Sequence, residues 1–249
     1  MKIKQHLPSL FTLINLFLGF LAILNTMAGN YFIACYIILA AGAFDSVDGK
    51  LARLIGIPTN FGKEIDSLAD MVSFCLAPAV LVYSLYTHDM PGITGEIIAS
   101  APLIMGAIRL ARFNSEVYDE APAFFTGLPT PMNALSIASL VLFIEHFKID
   151  NPEYSQPRLL LPLIMALSFL MVSRVRYAKF PFLNFKSGMQ NNLRLFGLAV
   201  FILCFTVSIF MGYPYRVLAF FVSFYLLTGI WNHVKSLGNV ETKNQVITK

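Results

Sequence analysis

Residues 45–70 read DSVDGKLARLIGIPTNFGKEIDSLAD, and four aspartates (Asp45, Asp48, Asp66 and Asp70) stand within surroundings that have the hydropathy of membrane helix. A carboxylate among hydrocarbon is energetically expensive, and such residues usually face a polar cavity that has a function. Because the first pair is spaced by three residues and the second by four, each pair projects from one face of its helix. Two facing pairs of carboxylates need a counter-charge, and Mg²⁺ suits them because it binds few carboxylates together with substrate phosphates. The stretch therefore predicts a membrane-embedded, metal-dependent enzyme with a phosphate-containing substrate.

Small and basic residues accompany the first pair of aspartates. Asp45, Asp48, Gly49 and Ala52 lie along one stripe, since offsets of three, four and seven repeat a helical face. Gly49 and Ala52 carry almost no side chain, so a planar base or a phosphate can approach the backbone closely. Arg53 adds a planar guanidinium, which suits phosphate. The pattern indicates a phosphate or nucleotide site beside the acids.

The second pair continues this pattern on the next helix. Gly62, Asp66 and Asp70 are each four residues apart, so they stack one turn above another. Facing the first stripe, they form an acidic cleft that can hold a metal ion. The alternative is a scaffold of buried salt bridges, but the local basic residues that would serve it, Arg53 with Lys50 or Lys63, are fewer than the acids. The second alternative is a cation channel or carrier, which an arginine beside the acids disfavours because it would repel the ion.

Composition places the chain among membrane proteins. Hydrophobic residues make up 57% and charged residues 13% of the 249 positions, whereas an average soluble domain has about 25% charged residues. Mean hydropathy is +0.67. The net charge of +4 is spread over several loops and does not favour nucleic-acid binding, and the three isolated cysteines have neither a disulfide pattern nor zinc spacing.

Runs of near-spanning apolar residues predict an all-α integral membrane protein with a bundle of about eight transmembrane helices. We expect one transmembrane domain over residues 1–234 and a cytoplasmic tail over 235–249. The active site is predicted near the cytoplasmic end of helices two and three. The apolar runs are at about 10–27, 31–47, 65–87, 93–112, 133–147, 159–173, 194–212 and 214–233.

Basic residues predict the orientation. With eight spans and both termini in the cytoplasm, only Lys148, Arg158 and Arg216 of the 18 lysines and arginines lie outside. This strong positive-inside bias predicts that the aspartates lie at the cytoplasmic end of their helices, in the cell membrane.

The full motif is Asp45-x2-Asp48-Gly49-x2-Ala52-Arg53-x8-Gly62-x3-Asp66-x3-Asp70. It resembles, without a departure, the signature of the CDP-alcohol phosphotransferase family of integral membrane enzymes. The resemblance implies transfer of a substituted phosphate from a CDP-linked donor to a hydroxyl acceptor, with release of CMP. It also implies that Asp45, Asp48, Asp66 and Asp70 bind Mg²⁺ or Mn²⁺, and that Asp70 is the general base.

The same resemblance implies a set of contacts to the CDP-lipid. Pro8-Ser9-Leu10-Phe11-Thr12 is similar to the family's Pro-Asn-x-x-Thr entry segment, and Ser9 stands where asparagine is usual, so only Thr12 is carried over. Ser9 is read instead as a helix N-cap. The implied contact residues are Thr12, Gly49, Ala52, Arg53, Thr59 and Gly62.

Softer matches concern the acceptor. The segments Leu13–Phe17, Arg109–Asn114, Phe125–Pro131 and Met171–Arg174, followed by Tyr177, look like those of membrane-integral phosphatidylserine synthases, a branch of that family. This resemblance implies CDP-diacylglycerol and L-serine as substrates in a lipid bilayer, and a homodimer. Other members that use glycerol phosphate, inositol phosphate or an archaeal ether-lipid donor remain alternatives.

Serine also offers a carboxylate that needs a cation. Arg109 and Arg112, at the cytoplasmic end of the fourth apolar run, are candidates for that role. The alternative is that both arginines extend to the membrane interface along their apolar stems.

Overall fold

A computed structural model describes residues 7–55, 60–115, 124–151, 160–178 and 189–247. Helices dominate these ranges, as the apolar runs predict. In chain order the elements are α1 (Leu7–Met27), α2 (Tyr31–Ile55), α3 (Asn60–Asp70), a first π-helical segment (Met71–Leu76), α4 (Ala77–Val82), a second π-helical segment (Tyr83–Thr87), α5 (Thr94–Ser115), β1 (Phe124–Thr126), α6 (Thr130–Asp150), α7 (Leu160–Val172), β2 (Arg176–Ala178), α8 (Met189–Phe210) and α9 (Pro214–Ile247).

The helices confirm the prediction of an all-α membrane protein. Within the described ranges, six helical stretches are long and apolar enough to cross a membrane. The apolar parts of two further helices, Tyr31–Ser46 and Leu160–Val172, are shorter. At 1.5 Å per residue, the 13 residues of α7 rise about 20 Å, less than the ~30 Å hydrocarbon core. Within the described residues each of the eight predicted runs therefore contains a helix, six helices have spanning length, and the count of eight transmembrane helices stays a prediction.

Large apolar side chains cover the outside of this bundle. Phe220 and Trp231 on α9 are 75% and 70% exposed, and Phe20 on α1 is 53% exposed. A surface of this kind matches lipid rather than water. The protein is therefore a multi-pass membrane protein.

The helical run 60–87 is the centre of the packing. It contacts α1, α2, α5 and α6, and Phe74 and Leu81 within it are fully buried. Gly19 of α1 and Gly106 of α5 allow close approach to it, because a Cβ on them would overlap Ser73 and Cys75 respectively. Small residues commonly permit such tight packing between membrane helices. As a result, the turn that follows Asp70 is held on two sides.

Two features of the fold go beyond the predicted spans. β1 and β2 form an antiparallel ribbon with Phe125 opposite Tyr177, where the sequence predicts only polar connections. The last helix also continues through Lys235 to Ile247, into the stretch predicted as a tail. The division at residue 234 stays a prediction.

Candidate active site

Three of the four aspartates meet in the fold. Asp45 extends from α2, and Asp66 and Asp70 extend from α3. Each contributes one carboxylate oxygen to a group in which the oxygens lie within 4.8 Å of one another, and all three residues are half-buried. The predicted convergence of the two acidic helices is therefore present in the structure.

The donor chemistry of this cluster fits a hard divalent cation. All its ligand atoms are oxygens, as Mg²⁺ and Mn²⁺ prefer. Oδ1 of Asp70 is buried and has no hydrogen-bond partner among the described residues. A buried carboxylate oxygen without a partner is costly beside two further carboxylates, and a cation would satisfy it.

Several predicted residues fall where the structure gives no side-chain position. The main chain of α2 carries Asp48, Gly49, Ala52 and Arg53, but their side chains lie outside the described part of the chain, and Thr59 lies outside the described residues altogether. Their assigned roles stay predictions.

Thr12 and Gly62 lie on the two helices that border the acids. The prediction of Ser9 as an N-cap is wrong, because α1 begins at Leu7 and Ser9 lies within it. Thr12 is buried on α1, which packs against α3 and the first π-helical segment. The hydroxyl of Ser73 in that segment donates to the main-chain oxygen of Asn15 at 2.7 Å. Since Asn15 is three residues from Thr12, the face of α1 that carries Thr12 is directed toward the helix of Asp70.

A hydroxyl from a distant part of the chain reaches Asp70. Thr130, the first residue of α6, donates from Oγ1 to Oδ2 of Asp70 at 3.3 Å. Thr130 is buried. The two oxygens of Asp70 therefore differ, because Oδ2 accepts this hydrogen bond while Oδ1 has no partner among the residues that the structure describes.

The predicted acceptor residue Arg109 is bonded to main-chain oxygens. Its Nη1 donates to the oxygen of Thr126 at 2.7 Å and to that of Met171 at 3.2 Å. Arg109 also lies near enough to Asp70 for their charges to interact. A guanidinium has five N–H groups, so those on Nε and Nη2 form a second edge that can meet an anion. Arg112 likewise donates from Nη1 to the oxygen of Val172, at 3.2 Å.

Hydrogen bonds also hold the turn that leads to Thr130. The N–H of Gly127 donates to the oxygen of Val175 at 2.8 Å, and the N–H of Leu128 donates to the oxygen of Leu170 at 2.9 Å. Gly127 has φ +75°, and a Cβ there would overlap the oxygen of Met171. Only glycine adopts this conformation readily.

The ribbon is packed through Tyr177. This side chain is fully buried and stacks on Tyr225 of α9 with ring centroids 5.5 Å apart. Burial raises the pKa of the Tyr177 hydroxyl to about 12. The hydroxyl therefore stays neutral at physiological pH, and the ring packs between the ribbon and α9.

Sequence reasoning missed two polar residues of α6. Thr130 stands in a quoted segment, but spacing alone gives no sign of its contact with Asp70. Asn133, one turn further, is fully buried, and neither side-chain polar atom has a hydrogen-bond partner among the described residues. An amide within an apolar helix was the available signal, because buried polar groups normally have partners.

Comparisons with known proteins agree with the geometry. The model of the CDP-alcohol phosphatidyltransferase family matches residues 5–172. The CDP-diacylglycerol–serine O-phosphatidyltransferase of Helicobacter pylori is 36% identical over 225 residues, which cover 90% of this chain and 89% of that protein. The Bacillus subtilis protein of the same name is 34% identical over 76% of this chain and 96% of its own length. An archaetidylserine synthase of Methanothermobacter thermautotrophicus is 38% identical over 70% of each chain.

Proposed function

This chain belongs to the CDP-alcohol phosphatidyltransferase family, and we propose that it transfers the phosphatidyl group of CDP-diacylglycerol to the hydroxyl of L-serine. The products are phosphatidylserine and CMP. The cluster of Asp45, Asp66 and Asp70 carries the proposal, because these residues complete the family's signature and their oxygens converge within 4.8 Å. Serine as the acceptor is supported by the names of relatives that align with up to 90% of the chain.

The proposed chemistry is a single displacement. The serine oxygen attacks the phosphorus nearest the glycerol, the bond from that phosphorus to the CMP oxygen breaks, and Oδ1 of Asp70 accepts the hydroxyl proton. A covalent enzyme intermediate would need an activated nucleophile. The two serines of the acidic stretch instead donate to main-chain oxygens, Ser46 to Gly42 and Ser67 to Lys63. Direct attack by the acceptor is therefore favoured.

The proposed ligands of a Mg²⁺ or Mn²⁺ ion are Asp45, Asp48, Asp66 and Asp70. Their oxygen donors suit these hard cations better than soft metals. When bound, the ion supplies positive charge that offsets the diphosphate and the departing CMP oxygen.

The CDP-lipid is expected to lie beside this cluster. We expect the small residues of α2 and α3 to leave space for a nucleotide, and the Arg53 guanidinium suits its phosphates. The proposed contacts are Thr12, Gly49, Ala52, Arg53, Thr59 and Gly62. The orientation of Thr12 toward the helix of Asp70 supports its place in this set.

The acceptor carboxylate is proposed to bind the Nε and Nη2 edge of Arg109. Because Nη1 donates to Thr126 and Met171, the guanidinium is held in place and its Nε and Nη2 protons can form paired hydrogen bonds with a carboxylate. Arg112 is the second candidate for this role.

The proposed location is the cell membrane, with the site open to the cytoplasm. The uneven distribution of lysine and arginine supports this orientation, and a soluble acceptor such as serine is available on that side. A homodimer is proposed from the family resemblance, and the mass of the protein in detergent would test it.

A second candidate differs only in the donor. The similarity to an archaetidylserine synthase supports an ether-lipid donor in place of the diacyl lipid. The reacting atoms would be the same, since the difference lies in the lipid chains.

The decisive experiment is CMP release by the purified protein. We would supply CDP-diacylglycerol with Mg²⁺ or Mn²⁺ and offer L-serine, glycerol phosphate and inositol phosphate separately, then repeat the serine assay with an ether-lipid donor. We expect CMP and phosphatidylserine with L-serine. CMP release with a phosphate ester and none with serine would overturn the acceptor, and no release with any acceptor would overturn the proposed enzyme class.

A further inference from the structure

The segment Phe125–Pro131 joins β1 to α6 and ends against Asp70. We propose that Thr130 is a positioning residue for Asp70: its hydroxyl sets the rotation of the carboxylate so that Oδ1 faces the cation and the acceptor. This inference rests on the proposed function, and it assigns a role to a part of the chain that is distant in sequence from the acidic motif.

The first step of the argument is the difference between the two oxygens. Oδ2 of Asp70 accepts from Thr130 at 3.3 Å, and Oδ1 is buried with no hydrogen-bond partner among the described residues. The χ2 torsion of aspartate is broad and does not by itself select one orientation. A donor on one oxygen therefore decides which oxygen remains for other ligands.

The second step is that Thr130 itself has little freedom. It is the first residue of α6 and is buried. Pro129 precedes it with φ −58° and ψ 144°, and Pro131 follows. Because proline fixes φ, the main chain on both sides of Thr130 is restricted.

The third step is the attachment of the preceding turn to α7 and β2. The N–H of Gly127 donates to the oxygen of Val175, and the N–H of Leu128 donates to the oxygen of Leu170. Arg109 donates to the main-chain oxygens of Thr126 and Met171. Three of these four hydrogen bonds involve Thr126, Gly127 or Leu128, which lie within four residues of Thr130. The position of its hydroxyl is thus set by packing outside the acidic cluster.

The chemical consequence concerns both proposed roles of Asp70. Groups that hydrogen-bond a metal ligand fix its orientation, and their loss typically weakens metal binding or activity about 10–100-fold. Because the Thr130 bond is long for a pair of oxygens, we expect an effect near the lower end of that range.

The test compares Thr130→Val, which keeps the shape and removes the hydroxyl, with Thr130→Ser, which keeps the hydroxyl. Ser136→Ala is the matched control, because it removes a buried hydroxyl on the same helix that donates to Met132 rather than to Asp70. Binding of Mn²⁺ alone to the purified protein in detergent is measured by electron paramagnetic resonance, with no substrate present. CMP release is measured in parallel.

We expect Thr130→Val to weaken Mn²⁺ binding about tenfold and to lower the turnover number, while Thr130→Ser and Ser136→Ala stay within about threefold of the wild type. Wild-type Mn²⁺ affinity in Thr130→Val, or an equal loss in Thr130→Ser, would overturn the inference. If Thr130→Val does not fold, Thr130→Ala takes its place with the same criteria. Asp70→Asn separates the two hypotheses, because unchanged Mn²⁺ binding in that variant would contradict the proposed metal site itself.

Discussion

Gly127 lies so close to the main-chain oxygen of Met171 that a Cβ on Gly127 would overlap it. Its φ of +75° is also unfavourable for any residue with a side chain. The same Cβ would lie 3.0 Å from Nη1 of Arg109. One missing side chain therefore allows the end of α7, the Arg109 guanidinium and the turn before α6 to meet.

We expect Gly127→Ala to destabilise the protein by about 2–5 kcal/mol, because it combines a strained φ with a steric overlap. Gly29→Ala is the matched control. Gly29 has a similar φ of +79° with no atom within 4 Å of its Cβ position, so its loss should be only about 1–2 kcal/mol. Thermal unfolding in detergent measures both, and equal losses would contradict the close contact.

Asp70→Asn should reduce CMP release about 10²–10⁴-fold, because the amide cannot accept the proton of the serine hydroxyl. Binding of CDP-diacylglycerol should be largely kept at a metal concentration high enough to offset the loss of one metal-binding carboxylate. The measurement is steady-state turnover together with equilibrium binding of the lipid. Turnover within about threefold of the wild type would remove Asp70 from the role of general base.

Asp45→Asn should abolish activity at ordinary Mg²⁺ concentrations but leave the protein folded. Removing one of several clustered negative charges lowers their mutual repulsion when no metal is bound, whereas breaking a buried salt bridge would destabilise the bundle. Glu64→Gln, at an exposed acid on the same helix as Asp66, is the control and should keep activity. If Asp45→Asn mostly unfolds and the fraction that stays folded is still active, the result would favour the salt-bridge scaffold.

Arg109→Gln should raise the serine concentration needed for half-maximal rate about ten- to a hundredfold, which corresponds to the loss of a charge-assisted hydrogen bond. The requirement for CDP-diacylglycerol should change much less. Arg109→Lys should rescue only in part, because an ammonium does not reproduce the paired N–H groups of the guanidinium.

The outcome is checked with Arg174→Gln, since Arg174 is exposed and has no proposed role in the site. Kinetic constants for serine and for the lipid are measured separately in all three variants. An equal rise in both constants for Arg109→Gln would indicate that Arg109 acts only by bracing Thr126 and Met171.

Much of the fold is predictable because lipid restricts what can be buried in it. Spanning stretches must be apolar and helical, so hydropathy located the apolar part of each described helix, but not the first turn of α3 or the end of α9. The ribbon between Phe125 and Tyr177 was not predictable in this way, because three-residue strands carry almost no periodic pattern. The apolar part of α2 is short for a different reason, because the acidic motif occupies the carboxyl-terminal half of this helix.

In the candidate site, too, contacts within one helix were predictable from the sequence, and contacts between distant segments were not. Spacing along one helix predicts that Asp66 and Asp70 share a face, and a cation shared by the two acidic pairs predicts that Asp45 lies close to them. The contact between Thr130 and Asp70 joins residues 60 positions apart, and no local pattern encodes such a distance. Likewise, the bonds from Arg109 to main-chain oxygens depend on where the end of α7 lies in space.

The π-helical segment directly after Asp70 has a consequence for register. A π turn holds more residues than an α turn. The side chains beyond Leu76 therefore point in directions, relative to the acidic face, that differ from those in a continuous α-helix of the same sequence. In an α-helix one residue corresponds to about 100° of rotation. Deleting a single residue between Met71 and Leu76 would therefore let this segment adopt α geometry while Leu81, Asp66 and Asp70 kept their directions, whereas the same deletion in a regular α-helix would rotate the two halves by about 100°. The π-helical segment thus sets the direction of the apolar face beyond Leu76 relative to the acidic face that carries Asp66 and Asp70.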